Sequence, residues 1–317
     1  MVLPQLKIDK LTAQLPIIQG GMAVRISTGA LAGAVAATGA VGVIGASGMA
    51  FDELRKEIAL ARQLARGGIV GINIMFAARE FWGIVQTAIQ AKIDLIITGA
   101  GFSRDIFKVG RDGNTPIVSI VSSARLAETA QKLGAAAVVV EGKEAGGHLG
   151  TDRSVWDILP EVIDAVTVPV IAAGGIIHGS GVCRALKMGA AGVQMATRFV
   201  LAEECAAAPE YKRRYQEATK DDVVLITSPV GMPGRAIKTA FVEQILAKKA
   251  PRPLGCDFCL KHCSLEYCII QALINSQKGD IDHGVVFSGE YVWQIPDRSI
   301  KPAAQIVKEI VRETEAC

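Results

Sequence analysis

The sequence predicts an α/β protein whose core is a (β/α)8 TIM barrel, because short apolar segments recur at similar spacing and helical patterns separate them. Strands that alternate with helices form right-handed βαβ units and hence a parallel sheet. Eight such units close naturally into a barrel. A doubly wound open sheet is the alternative, although it seldom needs eight such regular units. The predicted strands cover residues 15–18, 41–44, 69–74, 93–98, 116–121, 136–140, 168–172 and 191–195.

Helical patterns lie between most of the strands, and two of them begin near a candidate N-cap. These two patterns cover residues 52–62 and 123–133. Aspartate and serine side chains accept hydrogen bonds from the first backbone N–H groups of a helix, so we predict that Asp52 and Ser123 are N-caps.

The character of the sequence changes after the eighth strand. Charged residues and proline become more frequent, and residues 302–313 have the pattern of a terminal helix. We therefore predict a barrel in residues 1–204. Residues 205–317 are predicted to form a C-terminal helical extension that packs on the barrel and completes it.

Composition and charge exclude several classes of function. Half of the residues are hydrophobic, only 5% are aromatic and 33 are glycine, which suits an α/β protein better than a β-sandwich. The net charge is +3 without a basic block, so we expect no nucleic-acid partner. Residues 26–51 are uncharged and long enough to span a bilayer, but their glycines favour a buried helix followed by a strand. We expect no membrane partner.

The chain has seven cysteines, and its N-terminal residues show no signal peptide. An odd number of cysteines without a secretion signal indicates reduced thiols in the cytoplasm. Three of them, Cys183, Cys205 and Cys317, are interpreted as ordinary thiols.

The other four cysteines, Cys256, Cys259, Cys263 and Cys268, lie within thirteen residues. Such a tight run resembles iron–sulfur ligation more than the wider pairs of a zinc ribbon, although it matches no standard ferredoxin spacing. The alternative is a helix on which the first three share one face as small buried residues. We keep both interpretations, with a cluster or zinc as the metal hypothesis.

The strongest functional signal is the segment EGKEAGGHLG at residues 141–150, which directly follows the sixth predicted strand. Glycines allow a sharp turn and the close approach of a flat ligand, while histidine titrates near neutral pH. The active sites of α/β barrels lie at the carboxyl ends of their strands. His148 is therefore the candidate proton-transfer residue, and a hydrogen-bonded loop histidine is the alternative.

Glycine-rich loops follow the seventh and eighth predicted strands. Gly174 and Gly175 end one of them, and a helix opens near Gly179. In barrels, these two loops and a helix N-terminus often bind a phosphate through backbone N–H groups. Thr197, after the eighth strand, adds a hydroxyl. His178 in the first loop is interpreted as a solvated loop residue.

A polar residue, Asn73, interrupts an otherwise apolar strand. A buried amide must be hydrogen-bonded, so it satisfies neighbouring backbone groups or contacts a ligand. Glycines nearby admit a flat ring, and we favour the ligand.

Together these motifs resemble the nitronate monooxygenase family, once called 2-nitropropane dioxygenases. The same superfamily contains flavin-dependent type II enoyl-ACP reductases and NAD(P)H:quinone reductases. The resemblance spans essentially the whole barrel, and the ordered set of motifs is specific for the superfamily. The motifs lie at residues 16–22, 71–75, 98–101, 141–148, 171–176 and 192–199.

The resemblance implies FMN across the mouth of the barrel, with His148 as the proton-transfer residue. Gly21 and Met22 would flank the flavin ring, and Asn73 would contact it. Gly174, Gly175 and residues 194–197 would hold the phosphate. Ala196 departs from the glycine that the family usually has before Thr-Arg-Phe, but an added methyl need not block a backbone contact. The implied cofactor-binding residues are Gly21, Met22, Asn73, Glu141, Gly147, Gly174, Gly175, Gln194, Met195, Ala196 and Thr197.

Both oxidation of a nitronate and reduction of an enoyl thioester or a quinone by NAD(P)H fit such a site. The segment at residues 228–237 and the cysteine cluster look closer to bacterial nitronate monooxygenases, so we favour that activity. A flavin-binding scaffold without catalysis is the non-enzymatic alternative. The expected partner is a small-molecule substrate, and a homodimer is the candidate assembly.

Overall fold

The computed structural model describes residues 2–256 and 259–317 and confirms the barrel. In chain order the strands are β1 (Leu6–Ile8), β2 (Leu11–Ala13), β3 (Ile17–Gln19), β4 (Gly42–Gly45), β5 (Val70–Met75), β6 (Leu95–Gly99), β7 (Ile117–Val121), β8 (Ala137–Glu141), β9 (Gly147–His148), β10 (Val170–Ala173), β11 (Gly192–Met195), β12 (Val223–Thr227), β13 (Pro233–Ile237) and β14 (Val286–Phe287). The helices are α1 (Gly29–Ala36), α2 (Phe51–Ala65), α3 (Phe81–Gln90), α4 (Arg104–Asp112), α5 (Ala124–Leu133), α6 (Val155–Ala165), α7 (Gly179–Lys187), α8 (Pro209–Glu217), α9 (Ala240–Leu246), α10 (Ile269–Gln277) and α11 (Ala303–Glu315).

Eight parallel strands form the barrel, in the order β3-β11-β10-β8-β7-β6-β5-β4. Each predicted strand overlaps one of them. The sequence pattern was reliable here because strands buried on both faces are apolar along their whole length. Along β6, for example, Ile97 packs inside the barrel and Ile96 packs against the surrounding helices.

The barrel closes between β3 and β4, where backbone pairing is limited to the bridge of Ile18 with Val41. The buried Gln19 side chain supplies the remaining bonds. Its Oε1 accepts from the Val43 backbone N–H at 3.1 Å, and its Nε2 donates to the Val43 carbonyl at 3.2 Å. A side-chain amide thus replaces a missing pair of ladder bonds.

The amino-terminal end of the barrel is plugged by the hairpin of β1 and β2. Leu6, Ile8 and Ala13 of this hairpin join the interior cluster that the barrel strands form. The opposite end, where the carboxyl ends of the strands meet, remains open to a cavity.

The helix predictions are confirmed with one correction. The Ser123 side chain accepts from the Leu126 N–H at 3.4 Å and so caps α5. Asp52 is not an N-cap, because α2 begins one residue earlier and its N-cap is Ala50. Asp52 instead pairs with Arg55 in the first turn at 2.6 Å. The uncharged segment at residues 26–51 contains α1 and β4, as predicted.

Within the described part of the chain, every helix is too short or too polar to cross a bilayer.

The extension contains strands as well as helices, which the sequence analysis did not predict. β12, β13 and β14 form an antiparallel sheet, and β9 from the His148 loop joins it through β13. β12 and β13 were not recognised because both are short, neither shows an alternating pattern, and proline and glycine surround the turn between them. The division of the chain at residue 204 stays a prediction, and this shared sheet attaches the extension to the barrel.

Two cysteines predicted to be ordinary thiols form a disulfide, Cys183–Cys317. The interpretation of all seven cysteines as reduced was therefore wrong for this pair. The terminal helix α11 packs along α7, which carries Cys183, so the last residue of the chain reaches it. Cys205 is a buried thiol, as predicted.

The segment with the four-cysteine cluster is irregular where the structure describes it. Cys256 and Cys263 are exposed, and Cys268 is the N-cap of α10 with its Sγ 3.4 Å from the Gln271 N. The alternative of one helix with three buried cysteines on a face was therefore wrong. Residues 257 and 258, inside the cluster, lie outside the described residues.

Candidate active site

A cavity of about 460 Å³ opens at the carboxyl ends of the barrel strands. Its volume is in the range of small-molecule and cofactor sites. Both predicted loops and the His148 segment line it, together with residues of the extension. The structure brings every predicted cofactor-binding residue and His148 to this cavity: Gly21, Met22, Asn73, Glu141, Gly147, His148, Gly174, Gly175, Gln194, Met195, Ala196 and Thr197. Their individual roles stay predictions.

The loop after β3 requires glycine at position 21. A Cβ added to Gly21 would lie 2.5 Å from the Cβ of Asn73, a distance that no side chain tolerates. The following turn is fixed by Ser27, whose Oγ accepts from the Met22 N–H at 2.8 Å and from the Gly45 N–H at 3.1 Å. The sequence analysis missed Ser27, although a serine within an uncharged segment is a usable signal.

Two side-chain amides face the cavity with hydrogen-bonding capacity to spare. The Nδ2 of Asn73 makes one long bond, 3.4 Å, to the Ile97 carbonyl. The buried Oε1 of Gln194 has no hydrogen-bond partner among the described residues. Buried polar atoms are normally paired, so both amides are suited to contact a ligand.

The loops after β10 and β11 form the predicted phosphate end of the cavity. Gly174 and Gly175 have φ angles of +99° and +68°, which side chains rarely adopt. The N-terminus of α7, however, does not face this space. Its Gly179 N–H donates to a carboxylate oxygen of Glu313 at 2.7 Å. A phosphate here would therefore rest on the glycine loops rather than on this helix.

The Glu313 carboxylate also belongs to an ion-pair network around Arg198. This guanidinium is buried and donates to the Ile177 carbonyl at 3.1 Å, to Glu313 at 2.8 Å and to Glu309 at 3.2 Å. The network fixes α11 behind the phosphate end. His178 is half-buried beside it, outside the cavity lining, and burial lowers the pKa of its imidazole.

His148 lies on β9, and it pairs with Gly234 of β13 in the antiparallel sheet. Its Nε2 is 2.8 Å from the Oγ of Ser228 in the extension, and the Phe287 ring meets it edge to face at 5.1 Å. Burial lowers the pKa of His148 to about 4, because the charged imidazolium loses its hydration. The imidazole is therefore neutral near pH 7.

The extension also orients the bond between His148 and Ser228. The Tyr267 hydroxyl donates to the carbonyl of Thr227, the residue before Ser228, at 2.9 Å.

Arg235 of β13 holds the loop that carries His148. Its guanidinium donates to the carbonyls of Ala145 at 3.2 Å and Lys143 at 2.6 Å, and it lies 3.4 Å from Glu290. No local pattern identifies Arg235, because the carbonyl groups that it binds lie about ninety residues away in the chain.

Glu141, at the end of β8, places a carboxyl group in the cavity wall. Burial without a compensating cation raises its pKa to about 7. Near neutral pH, Glu141 therefore exists in both protonation states and is able to donate to or accept from a ligand.

Replacing Glu141 with glutamine is expected to stabilise the flavin-free protein at pH 8 by about 3 kcal/mol, because it removes a buried charge. The carboxyl is protonated below its unfolded-state pKa of 4.5 in both folded and unfolded chains, so the difference should vanish there. It should grow as the pH rises from 4.5 through about 7. Urea unfolding of wild type and Glu141→Gln across this range measures it, and a constant difference would contradict the raised pKa.

The side of the cavity that the extension covers is mostly apolar. Val230 and Met232 line it from the turn between β12 and β13, Leu260 from the segment between α9 and α10, and Ile269 and Leu273 from α10. This wall is suited to an apolar portion of a substrate.

The metal hypothesis receives no support from the described residues. Within residues 2–256 and 259–317, no group of three or more His, Cys, Asp or Glu side chains is placed to hold a metal ion. The hypothesis at Cys256, Cys259, Cys263 and Cys268 therefore stays a prediction.

Comparisons with known proteins agree with this geometry. The family model of nitronate monooxygenase matches residues 4–82 and 67–313. The (3aS,4S,5R,7aS)-5-hydroxy-7a-methyl-1-oxo-octahydro-1H-indene-4-carboxyl-CoA dehydrogenase of Mycobacterium tuberculosis is 32% identical over 73% of this chain and 65% of its own length. The chain thus spans just under two thirds of that relative. A probable nitronate monooxygenase of Staphylococcus aureus is 27% identical over 74% of this chain and 78% of that protein.

Two solved structures resemble the whole chain. FabK from Thermotoga maritima superposes with a TM-score of 0.86 at 32% identity, over 96% of this chain and 94% of that one. The nitroalkane oxidase of Streptomyces ansochromogenes superposes with a TM-score of 0.81 at 22% identity, over 96% of both chains, a likeness that shows the fold alone. Because the family model matches most of its length, this chain belongs to the nitronate monooxygenase family.

Proposed function

We propose that this protein is an FMN-dependent oxidoreductase that oxidises alkyl nitronates with O2. The observation that carries the proposal is the position of His148, which faces a cofactor-sized cavity at the carboxyl ends of the strands. Family membership supports the flavin.

The residues of the cavity fit FMN. The Nδ2 of Asn73 offers a donor, and the orphaned Oε1 of Gln194 offers an acceptor for a ring N–H. The glycine loops at Gly174 and Gly175 offer backbone N–H groups to a phosphate. When bound, FMN supplies a two-electron acceptor.

The protein's own residues would orient the substrate and manage its protons. A nitronate is an anion, and an anion beside His148 favours the protonated imidazole and raises its pKa from about 4. The Ser228 hydroxyl holds the ring in place through its 2.8 Å bond to Nε2. His148 would thus balance the substrate charge, while the apolar wall of the extension excludes water from the reacting centre.

A second candidate is an NAD(P)H-dependent reductase of enoyl thioesters, such as enoyl-ACP, or of quinones. The apolar wall favours it, because Met232, Leu260 and Leu273 provide more apolar surface than a small nitronate covers. The likeness to a carboxyl-CoA dehydrogenase also supports it. In this reaction His148 would protonate the α-carbon of the substrate. A scaffold without catalysis is disfavoured, because His148 is held in one orientation at the cavity.

Four smaller expectations belong to this proposal. The protein would act in the cytoplasm on a small-molecule substrate, with a homodimer as its candidate assembly. An iron–sulfur cluster or zinc at the four-cysteine cluster would be detected by metal analysis of the purified protein, and its absence would remove the metal hypothesis.

Anaerobic reduction distinguishes the two candidates. We expect the FMN-loaded protein to bleach when an alkyl nitronate is added and to resist NADH and NADPH. Rapid bleaching by a nicotinamide, without bleaching by nitronate, would overturn the monooxygenase assignment. It would make enoyl thioesters and quinones the acceptors to test.

A further inference from the structure

The residue after β14, Ser288, belongs to the extension and not to the glycine loops of the barrel. We propose that its hydroxyl is a direct ligand of the cofactor phosphate, so that the extension completes the phosphate site. The assignment rests on the proposed binding of FMN.

Consecutive backbone groups hold Ser288 against the phosphate end. The Ser288 N–H donates to the Arg235 carbonyl at 3.2 Å. The next residue, Gly289, donates its N–H to the Oγ1 of Thr197 at 3.1 Å, and Glu290 donates to the Glu144 carbonyl at 3.0 Å. Ser288 is therefore anchored on the loop after β11 and on the loop that carries His148.

The segment that contains Ser288 and Tyr291 packs closely against the loops that carry Gly146 and Gly175. A Cβ added to Gly146 would lie 2.6 Å from the Ser288 carbonyl carbon, and one added to Gly175 would lie 2.9 Å from the ring of Tyr291. The glycines at these positions thus allow the extension to lie directly over the predicted phosphate loop.

The Ser288 hydroxyl lacks a partner although it is buried. The residue is 2% exposed, it lines the cavity, and its Oγ has no hydrogen-bond partner among the described residues. Leaving a buried hydroxyl unpaired is costly, and native structures rarely do so without a reason. An acceptor that arrives with the ligand would remove this cost.

A hydroxyl donor would be important for binding a phosphate here, because the cavity lining lacks cationic side chains among the described residues. Among the described residues that line the cavity, none is lysine or arginine. The N-terminus of α7 is occupied by Glu313, as described above. A phosphate must therefore rely on backbone N–H groups and on hydroxyls. The Oγ1 of Thr197 already accepts from Gly289, which leaves its proton available to donate alongside that of Ser288.

Comparing FMN with riboflavin, which lacks the phosphate, tests the assignment in the variant Ser288→Ala. We expect the Kd of FMN to rise about 10-fold, equivalent to about 1.4 kcal/mol, with the Kd of riboflavin unchanged. The Tm of the flavin-free variant should not fall, because the lost hydroxyl had no partner. Ser119→Ala is the matched control: its Oγ is also buried and unpartnered among the described residues, but it lies outside the cavity lining. It should leave both affinities unchanged.

Equal weakening of FMN and riboflavin in Ser288→Ala, or no weakening of either, would overturn the assignment while leaving FMN binding intact. A lower Tm of the flavin-free variant would show that the hydroxyl has a structural partner, and it would also count against the assignment. A wild-type protein that binds neither flavin would overturn the proposed function itself.

Discussion

Replacing His148 with alanine is expected to lower turnover by about 10²- to 10⁴-fold while FMN remains bound. The imidazole lies at the cavity and is oriented by Ser228, but the backbone groups expected to hold the phosphate belong to other loops. Turnover of FMN-loaded wild type and variant with a nitronate, together with the flavin content of each, measures the effect.

His178→Ala is the control, since His178 lies outside the cavity lining. It should retain wild-type turnover. Ser228→Ala should fall between the two, because it keeps the imidazole but removes the partner of Nε2. Unchanged turnover in His148→Ala would remove the histidine from the mechanism, and loss of FMN from this variant would give it a binding role instead.

Replacing Arg198 with methionine is expected to destabilise the fold by about 3–5 kcal/mol, because it removes the guanidinium that pairs with Glu313 and one of the two cations beside Glu309. The Arg198 side chain is 4% exposed, and its partners Glu309 and Glu313 are 15% and 27% exposed. The pKa values of both carboxyl groups are lowered by hydrogen bonds to neighbouring groups, Arg198 among them, against the effect of burial. Urea unfolding of wild type and variant at pH 7 gives the difference.

Arg153→Met is the matched control, because Arg153 makes a short ion pair with Glu161 at 2.5 Å on the surface. Water screens this pair, and its loss should have no measurable effect on stability. The stabilising effect of Arg198 should weaken as the pH falls, since a carboxyl with a lowered folded-state pKa loses its contribution on protonation. If both variants unfold at the same urea concentration, the buried network does not stabilise α11.

The parts of the fold that local patterns determine were predictable. All eight barrel strands were found because strands buried on both faces are apolar throughout, and the loops of the cavity were found through their glycines. Asn73 was identifiable as a polar residue in an apolar strand. The resemblance to a family then joined these separate motifs into one site.

The parts that depend on contacts distant in sequence were not predictable from one chain. Ser228 contacts His148 although eighty residues separate them in the chain. Arg235 donates hydrogen bonds to the loop that carries His148 from about ninety residues away. The disulfide of Cys183 with Cys317 likewise depends on how α11 packs against α7. No local pattern indicates such pairs, because each residue alone is unremarkable for its segment.

Binding of FMN to the purified protein tests the central claim most directly, followed by visible absorption and by quenching of flavin fluorescence. Our account predicts a saturable yellow complex with FMN, with weaker binding of riboflavin because the phosphate loops then lack their ligand. A protein that remains colourless after incubation with FMN, and that leaves flavin fluorescence unchanged, would contradict it.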